Sequence, residues 1–439
     1  MIQFHRADGR ERYHSAERLL ALGFLVVILT GTVLLALPVA AKDCRSIGLF
    51  DSLFTSTSAV CVTGLVAVDT GATFSLFGQV VLLVLIQVGG LGFMVFATMI
   101  MVMLGRKISL KGRMLIRESM NCASFSDLSG LTWLYLLLAL GIELAGAALL
   151  SIRFVPLYGL RRGLWMALFH AVSAFCNAGF DLFGGFSSLT VFAHDPLVLL
   201  TVAALIVLGG LGFSVILEAL RNRNGFKGLS LHARIVLMLT PVLLFAGTGF
   251  FLLAEWRGTG ALAGFGTGDK VLNAFFQSVT MRTAGFNSID LSGMKDGSKL
   301  FSSLLMMIGA SPASTGGGMK TTTAAVFVLL MLSIAKGESE VNIARRRLSS
   351  DVTRRALAVV ALYILMLTVG TLVISLIENG RFSLSDLLFE ASSAMGTVGV
   401  SSIGTPHLLP ASRAVLLPMM FLGKFFFTSS RKPNRSPGW

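Results

Sequence analysis

Four segments of this chain repeat one arrangement of residues: FTSTSAVCVTGL (Phe54–Leu65), FHAVSAFCNAGF (Phe169–Phe180), FFQSVTMRTAGF (Phe275–Phe286) and FEASSAMGTVGV (Phe389–Val400). In each, a phenylalanine stands ten residues before a glycine, and an apolar residue follows that glycine. The triplets that end on these glycines are Val62-Thr63-Gly64, Asn177-Ala178-Gly179, Thr283-Ala284-Gly285 and Thr397-Val398-Gly399. None contains a carboxylate, so the groups they offer are backbone carbonyls. A ring of carbonyls can replace the hydration shell of a monovalent cation, whereas divalent selection calls for rings of Asp or Glu. Glycine suits such a ring because it accepts positive φ without a Cβ clash.

Other chemistries find little support. Cys44, Cys61, Cys122 and Cys176 form no CxxC pair and no Cys/His cluster, which argues against a zinc site or a disulfide scaffold. Neither HExxH nor GxSxG occurs. GGGMKT is not a phosphate-binding loop, because that motif needs glycine directly before lysine and Met319 intervenes. No cofactor is expected in this chain. A membrane enzyme should place paired Asp, Glu, His or Cys on facing helices; apart from Glu143 the apolar segments lack them.

The elements that must position the four segments follow from composition. Of 439 residues, 54% are apolar and 13% charged, and the mean hydropathy is +0.80. Soluble domains carry about 25% charged residues, so lipid is the solvent for most of this chain. Apolar runs at about 19–41, 74–104, 131–152, 197–220, 235–254, 300–334, 356–377 and 411–427 predict eight spans, a span needing about 20 residues. One glycine-bearing segment lies between the members of each pair. The expected fold is all-α integral membrane: four pseudo-symmetric helix–pore loop–helix repeats around a central pore. The expected organisation is a tail at 1–18, repeat 1 at 19–105, repeat 2 at 128–220, repeat 3 at 234–336, repeat 4 at 355–428 and a divergent tail at 429–439. Two crossings per repeat give all four the same orientation. Non-helical backbone at membrane depth is tolerated only where protein covers it or it lines a cavity, a condition that four facing loops meet.

The net charge of +14 is topological rather than a sign of a nucleic-acid partner. Arg6, Arg10, Arg12 and Arg18 precede the first span, and further basic clusters follow spans two, four and six. By the positive-inside rule both termini are cytoplasmic, in a multi-pass protein of the cytoplasmic membrane.

Repeat 3 carries an interruption at 309–323. Gly309, Ala310, Ser311, Pro312, Ala313, Ser314, Thr315, Gly316, Gly317, Gly318 and Lys320 cannot form a lipid-facing helix and are expected to unwind into the cavity. Lys320 either occupies that cavity or snorkels to the interface. Arg282 is expected to face away from the axis and tie its loop to neighbouring helices, and Glu143 to find a polar partner. The glycine pairs at Gly89 and Gly209 read as helix-packing positions.

With these motifs in view, the sequence resembles the Trk/Ktr/HKT superfamily of potassium transporters over about residues 15 to 424, with CVTGL, FCNAGF, MRTAGFN and GTVGV at the filter positions. Eight spans without an extra N-terminal pair resemble the Ktr-type membrane subunit. The resemblance implies K⁺ bound at the filter carbonyls, an intramembrane gate at 309–323 and a homodimer. It also implies a separate cytosolic ring of RCK-type nucleotide-binding subunits, with Na⁺ as a possible regulatory ion. The last span departs from the family pattern: Lys424 stands where a Gly-Arg pair is expected, Pro418 is expected to interrupt the helix, and FFFTSSRKPNRSPGW follows. A naturally divergent chain and a lost C-terminus both fit this ending. The alternatives to potassium uptake are a Na⁺ or ammonium conduit of the same fold, or an inactive truncated relative. Replacing Gly64 with Ser is expected to admit more Na⁺ relative to K⁺; unchanged relative permeability in flux measurements would contradict the filter reading.

Overall fold

The computed structural model describes residues 21–92, 128–222, 225–256, 260–337, 342–343 and 346–425. The expected tails at 1–18 and 429–439, the far end of the second span, the basic cluster at 106–117 and the last residues of repeat 4 lie outside the described residues. The structure is helical, with one two-residue strand pair, Asn342–Ile343 against Arg346–Arg347, among the described residues.

Each repeat is an outer helix, a short helix ending in the glycine segment, and a second outer helix. The first contains α1 (Ala21–Ala36), α2 (Leu49–Cys61) and α3 (Leu76–Leu91). The second contains α4 (Leu128–Tyr158), α5 (Leu160–Phe175), α6 (Pro196–Leu211) and α7 (Phe213–Arg221). The third contains α8 (Leu231–Glu255), α9 (Thr267–Thr283), α10 (Asp296–Met307) and α11 (Thr321–Ala335). The fourth contains α12 (Ser350–Glu378), α13 (Leu384–Gly396) and α14 (Pro410–Phe425).

Helix length separates the two roles only at its extremes, since α5 and α9, at 16 and 17 residues, are as long as the outer helices α3 and α6. α4, α8 and α12 are each long and apolar enough to cross a membrane alone. They outrun the apolar stretches in the sequence because their polar end turns are also helical. α2 and α13 have 13 residues each, about 20 Å of helix against a hydrocarbon core of about 30 Å, so they enter without crossing. Burial follows the same division. Phe54, Phe169 and Phe389 on the short helices are fully buried, whereas Leu253 and Leu376 on α8 and α12 are 88% and 80% exposed, an apolar exterior suited to lipid.

Two expected spans differ from the sequence reading. The fourth is not straight: α6 and α7 meet at 94°, with Gly212 at φ 93° between them. The eighth is not interrupted by proline, because α14 runs through Pro418. Proline removes one backbone donor, and a transmembrane helix tolerates that when packed neighbours compensate.

The repeats close into a ring through packing of α3 on α5, α6 on α9, α10 on α13 and α14 on α2. A polar link marks each seam. Trp165 Nε1 donates to Gln79 Oε1 at 2.7 Å. His194 Nδ1 lies 2.6 Å from Asp269, Lys299 Nζ 2.8 Å from Asp386, and Arg413 Nη1 2.8 Å from Asp51. The three aspartates occupy the first turns of α9, α13 and α2, where a carboxylate also complements the helix dipole.

Within repeats the second helix approaches the short helix closely at a glycine. A Cβ on Gly89 would meet Val60 O at 2.2 Å, one on Gly209 would meet Phe175 O at 1.8 Å, and one on Gly423 would meet Met395 O at 2.1 Å. Each of these carbonyls belongs to the residue four before a segment glycine. Gly89→Ala is therefore expected to destabilise the protein by about 1–3 kcal/mol through overpacking. Gly141, where a Cβ would meet nothing within 4 Å, should accept alanine without loss. Thermal unfolding of the two variants in detergent would check the contrast.

Candidate functional site: a ring of four glycine loops and the loop beneath it

The four segment glycines lie at φ 91°, 70°, 84° and 97° for Gly64, Gly179, Gly285 and Gly399. They form a closed cycle in chain order. A Cβ on Gly64 would meet Ala178 O at 2.5 Å, one on Gly179 would meet Ala284 O at 2.7 Å, one on Gly285 would meet Val398 O at 2.5 Å, and one on Gly399 would meet Thr63 O at 2.0 Å. Each glycine thus abuts the carbonyl that precedes the next glycine. Eight of the twelve triplet residues of the sequence reading meet in this cycle, and Val62, Asn177, Thr283 and Thr397 stand one residue before it in each segment.

The short helices hold their loops by one device with two variants. In segments one, two and four the helix ends on a left-handed residue: Val62 at φ 56°, Asn177 at 58° and Thr397 at 51°. Asn tolerates that conformation, but valine and threonine are strained there, at about 1–3 kcal/mol each. The following amides cap the helix: Thr63 N–H to Ser58 O at 2.8 Å, Ala178 N–H to Ser173 O at 2.7 Å, and Val398 N–H to Ser393 O at 2.8 Å. The serine hydroxyls then fix the glycine turn. Ser58 and Ser393 accept from Gly64 N–H and Gly399 N–H, each at 3.0 Å, and Ser173 donates to Phe180 O at 2.8 Å.

The third segment departs from the common register. Thr283 is still helical and Ala284 is right-handed at φ −111°, so no left-handed residue precedes Gly285. Phe276 rather than Phe275 is fully buried, and Thr280, not the residue six before the glycine, donates to the carbonyl of Phe286 at 2.6 Å. The third loop has fewer residues between helix and glycine than the other three, which the shared Phe–Gly spacing conceals. The serines were a missed signal: Ser58, Ser173 and Ser393 share one offset, and Val279 marks the exception.

Residues 309–320 fold back beneath the ring. Gly309 N–H donates to Met319 O at 2.8 Å, Ala310 N–H to Gly317 O at 3.2 Å, and Ser311 N–H to Gly210 O at 3.0 Å. Pro312 O lies against Gly212. Phe213 N–H donates to Ala313 O at 3.1 Å, Ser314 Oγ to Ser311 O, and Gly318 N–H to Gly423 O at 3.2 Å. Three consecutive residues meet three ring segments in turn. Thr315 Oγ1 accepts from Asn177 Nδ2 at 2.9 Å, a Cβ on Gly316 would touch Thr283, and one on Gly317 would touch Thr397 Oγ1 at 2.3 Å.

Three buried cations hold carbonyls of this loop. Arg282 donates to Gly309 O at 3.3 Å, tying its helix to the loop. Lys320, 2% exposed, donates to Gly316 O at 2.9 Å and does not snorkel. Lys424 donates to Thr315 O at 2.6 Å. It follows Gly423 as Gly90 follows Gly89 and Gly210 follows Gly209, so a side chain reaches inward where the first two repeats have none. Glu143 receives Gln87 Nε2 at 3.0 and 3.2 Å and faces Cys176 Sγ at 3.9 Å. Thr63 Oγ1, Asn177 Oδ1 and Thr397 Oγ1 are buried oxygens without a protein partner among the described residues.

Comparison with known proteins gives a consistent result. A family model described as TrkH, a cation transport protein, matches residues 12–430. The Ktr system potassium uptake protein B of Bacillus subtilis is 40% identical over 407 residues, 93% of this chain and 90% of that protein. The protein of the same name from Vibrio alginolyticus is 38% identical over 433 residues, 97% of this chain and 94% of that protein. The potassium/sodium uptake protein NtpJ of Enterococcus hirae is 36% identical over 412 residues, covering 93% and 90%. The crystal structure of the potassium transporter TrkH from Vibrio parahaemolyticus has the same fold, with a TM-score of 0.69 at 18% identity, covering 93% of this chain and 83% of that one.

Lys424 places an ammonium group against the loop beneath the ring and anchors one of its carbonyls. Lys424→Met removes both effects while keeping the side chain's bulk. Cation flux through the purified protein in liposomes, without any regulatory subunit, is expected to rise several-fold; an unchanged rate would show that the loop does not restrict passage.

Proposed function

The chain belongs to the TrkH family of cation transport proteins, a membrane transporter and not an enzyme, and we propose that it takes up potassium across the cytoplasmic membrane through the ring of four glycine loops. The observation that carries this reading is the closed cycle in which each glycine abuts the preceding carbonyl of the next loop. Main-chain oxygens of Val62 to Gly64, Asn177 to Gly179, Thr283 to Gly285 and Thr397 to Gly399 replace the water around a dehydrated K⁺. The strained residues Val62 and Thr397 support it, because strain of this kind persists where surrounding structure over-determines it and gathers at functional sites. The unpartnered oxygens of Thr63, Asn177 and Thr397 are groups that a hydrated or partly hydrated cation satisfies.

Residues 309–320, the expected 309–323 less Thr321 to Thr323, which form the first turn of α11, act as the gate, seated by Arg282, Lys320 and Lys424 and displaced for conduction. The membrane potential drives uptake, supplying about 2.3 kcal/mol per elementary charge at 100 mV. Both termini are cytoplasmic. The relatives named as parts of a Ktr system support a membrane subunit that works within a system; in this reading it is a homodimer, with a cytosolic RCK-type nucleotide-binding ring controlling the gate and Na⁺ as a regulatory ion. A second reading, Na⁺ carriage alongside K⁺, is favoured by the relative named for potassium and sodium uptake.

Cells lacking their own potassium uptake systems provide the test. Expression of this chain, alone and with an RCK-type partner, is expected to restore growth at low external K⁺. Tracer uptake should be competed by K⁺ more than by Na⁺ or ammonium. Failure to carry K⁺ in either setting would overturn the assignment, and equal competition by Na⁺ would favour the second reading.

A further inference from the structure

Thr315 is the most heavily anchored residue of the loop beneath the ring. It is fully buried, and all of its polar groups are engaged. Its N–H donates to Gly209 O at 3.2 Å, its hydroxyl donates to Phe175 O at 3.0 Å and accepts from Asn177 Nδ2 at 2.9 Å, and its carbonyl accepts from Lys424 at 2.6 Å. The hydroxyl has one proton, which Phe175 O takes, so the side chain facing it must be a donor. This fixes the Asn177 amide with its nitrogen towards the loop and leaves Oδ1, buried, without a protein partner among the described residues.

Asn177 belongs to the ring at the same time. It holds the left-handed turn at φ 58°, and the carbonyl of the next residue, Ala178, abuts Gly64 of the neighbouring segment. Equivalent positions in the other segments make no such link. Val62 has no side-chain donor, Thr397 Oγ1 is without a partner among the described residues, and Thr283 meets Gly316 through its carbon atoms. One hydrogen bond therefore joins the backbone that surrounds the ion to the segment that closes the path.

We propose that Asn177 and Thr315 form a latch through which seating of the loop tightens the ring, so that the ion is captured with the loop seated and loosened when the loop lifts. This rests on the reading of the ring as the ion filter and of 309–320 as its gate. While the loop is seated, Thr315 pins the Asn177 side chain and pre-organises the second segment. When the loop leaves, the amide is free to turn, the second segment relaxes, and the grip on the ion weakens as the inward path opens. By linkage, an ion in the ring then favours the seated loop to the same degree that the seated loop favours the ion. Asn177 and Thr315 are positioning residues here, acting on the ion through the main chain.

A tether that serves the gate alone alters the fraction of open molecules, and so the maximal rate, without altering the concentration for half-maximal uptake. A latch alters both. The experiment measures Rb⁺ uptake against external concentration in proteoliposomes containing the full chain, for the wild type, Thr315→Val, Thr315→Ser and Lys424→Met. Thr315→Val keeps the shape and loses the hydroxyl. It is expected to raise the maximal rate and to raise KM about two- to tenfold, the equivalent of one neutral hydrogen bond. Thr315→Ser restores the hydroxyl and should return both parameters to wild-type values, which guards against a general folding defect. Lys424→Met, which weakens seating while leaving the latch in place, should by the same linkage raise the rate and KM together. The proposal is overturned if Thr315→Val changes either parameter without the other, changes neither, or is not rescued by serine. If the wild type carries no Rb⁺ or K⁺, the filter reading fails first, and the two failures are distinguishable.

Discussion

Backbone that is not helical at membrane depth must find its hydrogen-bond partners in protein, because lipid offers none. Among the described residues, five such stretches meet that requirement in two ways. Four are the glycine loops, and they solve it together: helix-ending amides return to the carbonyls of their own short helix, hydroxyls of Ser58, Ser173, Thr280 and Ser393 hold the turns, and the glycines pack against carbonyls of the next loop. No single loop could be buried in this way. The seams between repeats add polar links to the helix packing that closes the set.

The fifth stretch, 309–320, has no symmetry mates and uses a different solution. Three of its carbonyls are taken by basic side chains from three elements: Arg282 from α9, Lys320 from its own end and Lys424 from α14. Lysine and arginine are donors only, so they suit surplus carbonyls, whereas the loop's amides are absorbed by Gly209, Gly210 and Gly423. Those partners are the close-approach positions of the second outer helices and their neighbours, where lack of a side chain exposes main-chain oxygen. The arrangement places basic side chains on the carbonyls of the loop next to a ring that presents main-chain oxygens.

The same contacts explain how the fold of this chain matches a structure with 18% identity. Ring closure depends on main-chain atoms and on missing side chains rather than on particular apolar residues. The outer helices need only length and an apolar surface, and many sequences supply both.

Hydropathy and the glycine offsets are local quantities that survive without coordinates, and they were enough to dictate the helical membrane class and the four glycine segments that meet in the structure. Local composition also marked Gly89 and Gly209 as packing positions, whereas Arg282, expected to tie its loop to neighbouring helices, holds Gly309 O of the inserted loop instead. The register of the third loop lay beyond such reasoning, since burial of Phe276 and the helical state of Thr283 depend on how α9 sits against its neighbours. The same holds for the 94° turn between α6 and α7, for the passage of α14 through Pro418, and for the meeting of Lys424 and Thr315 across 109 residues. Those outcomes arise only on folding, because each is settled by which unsatisfied main-chain group lies within reach of a buried donor, and reach is a property of the closed ring.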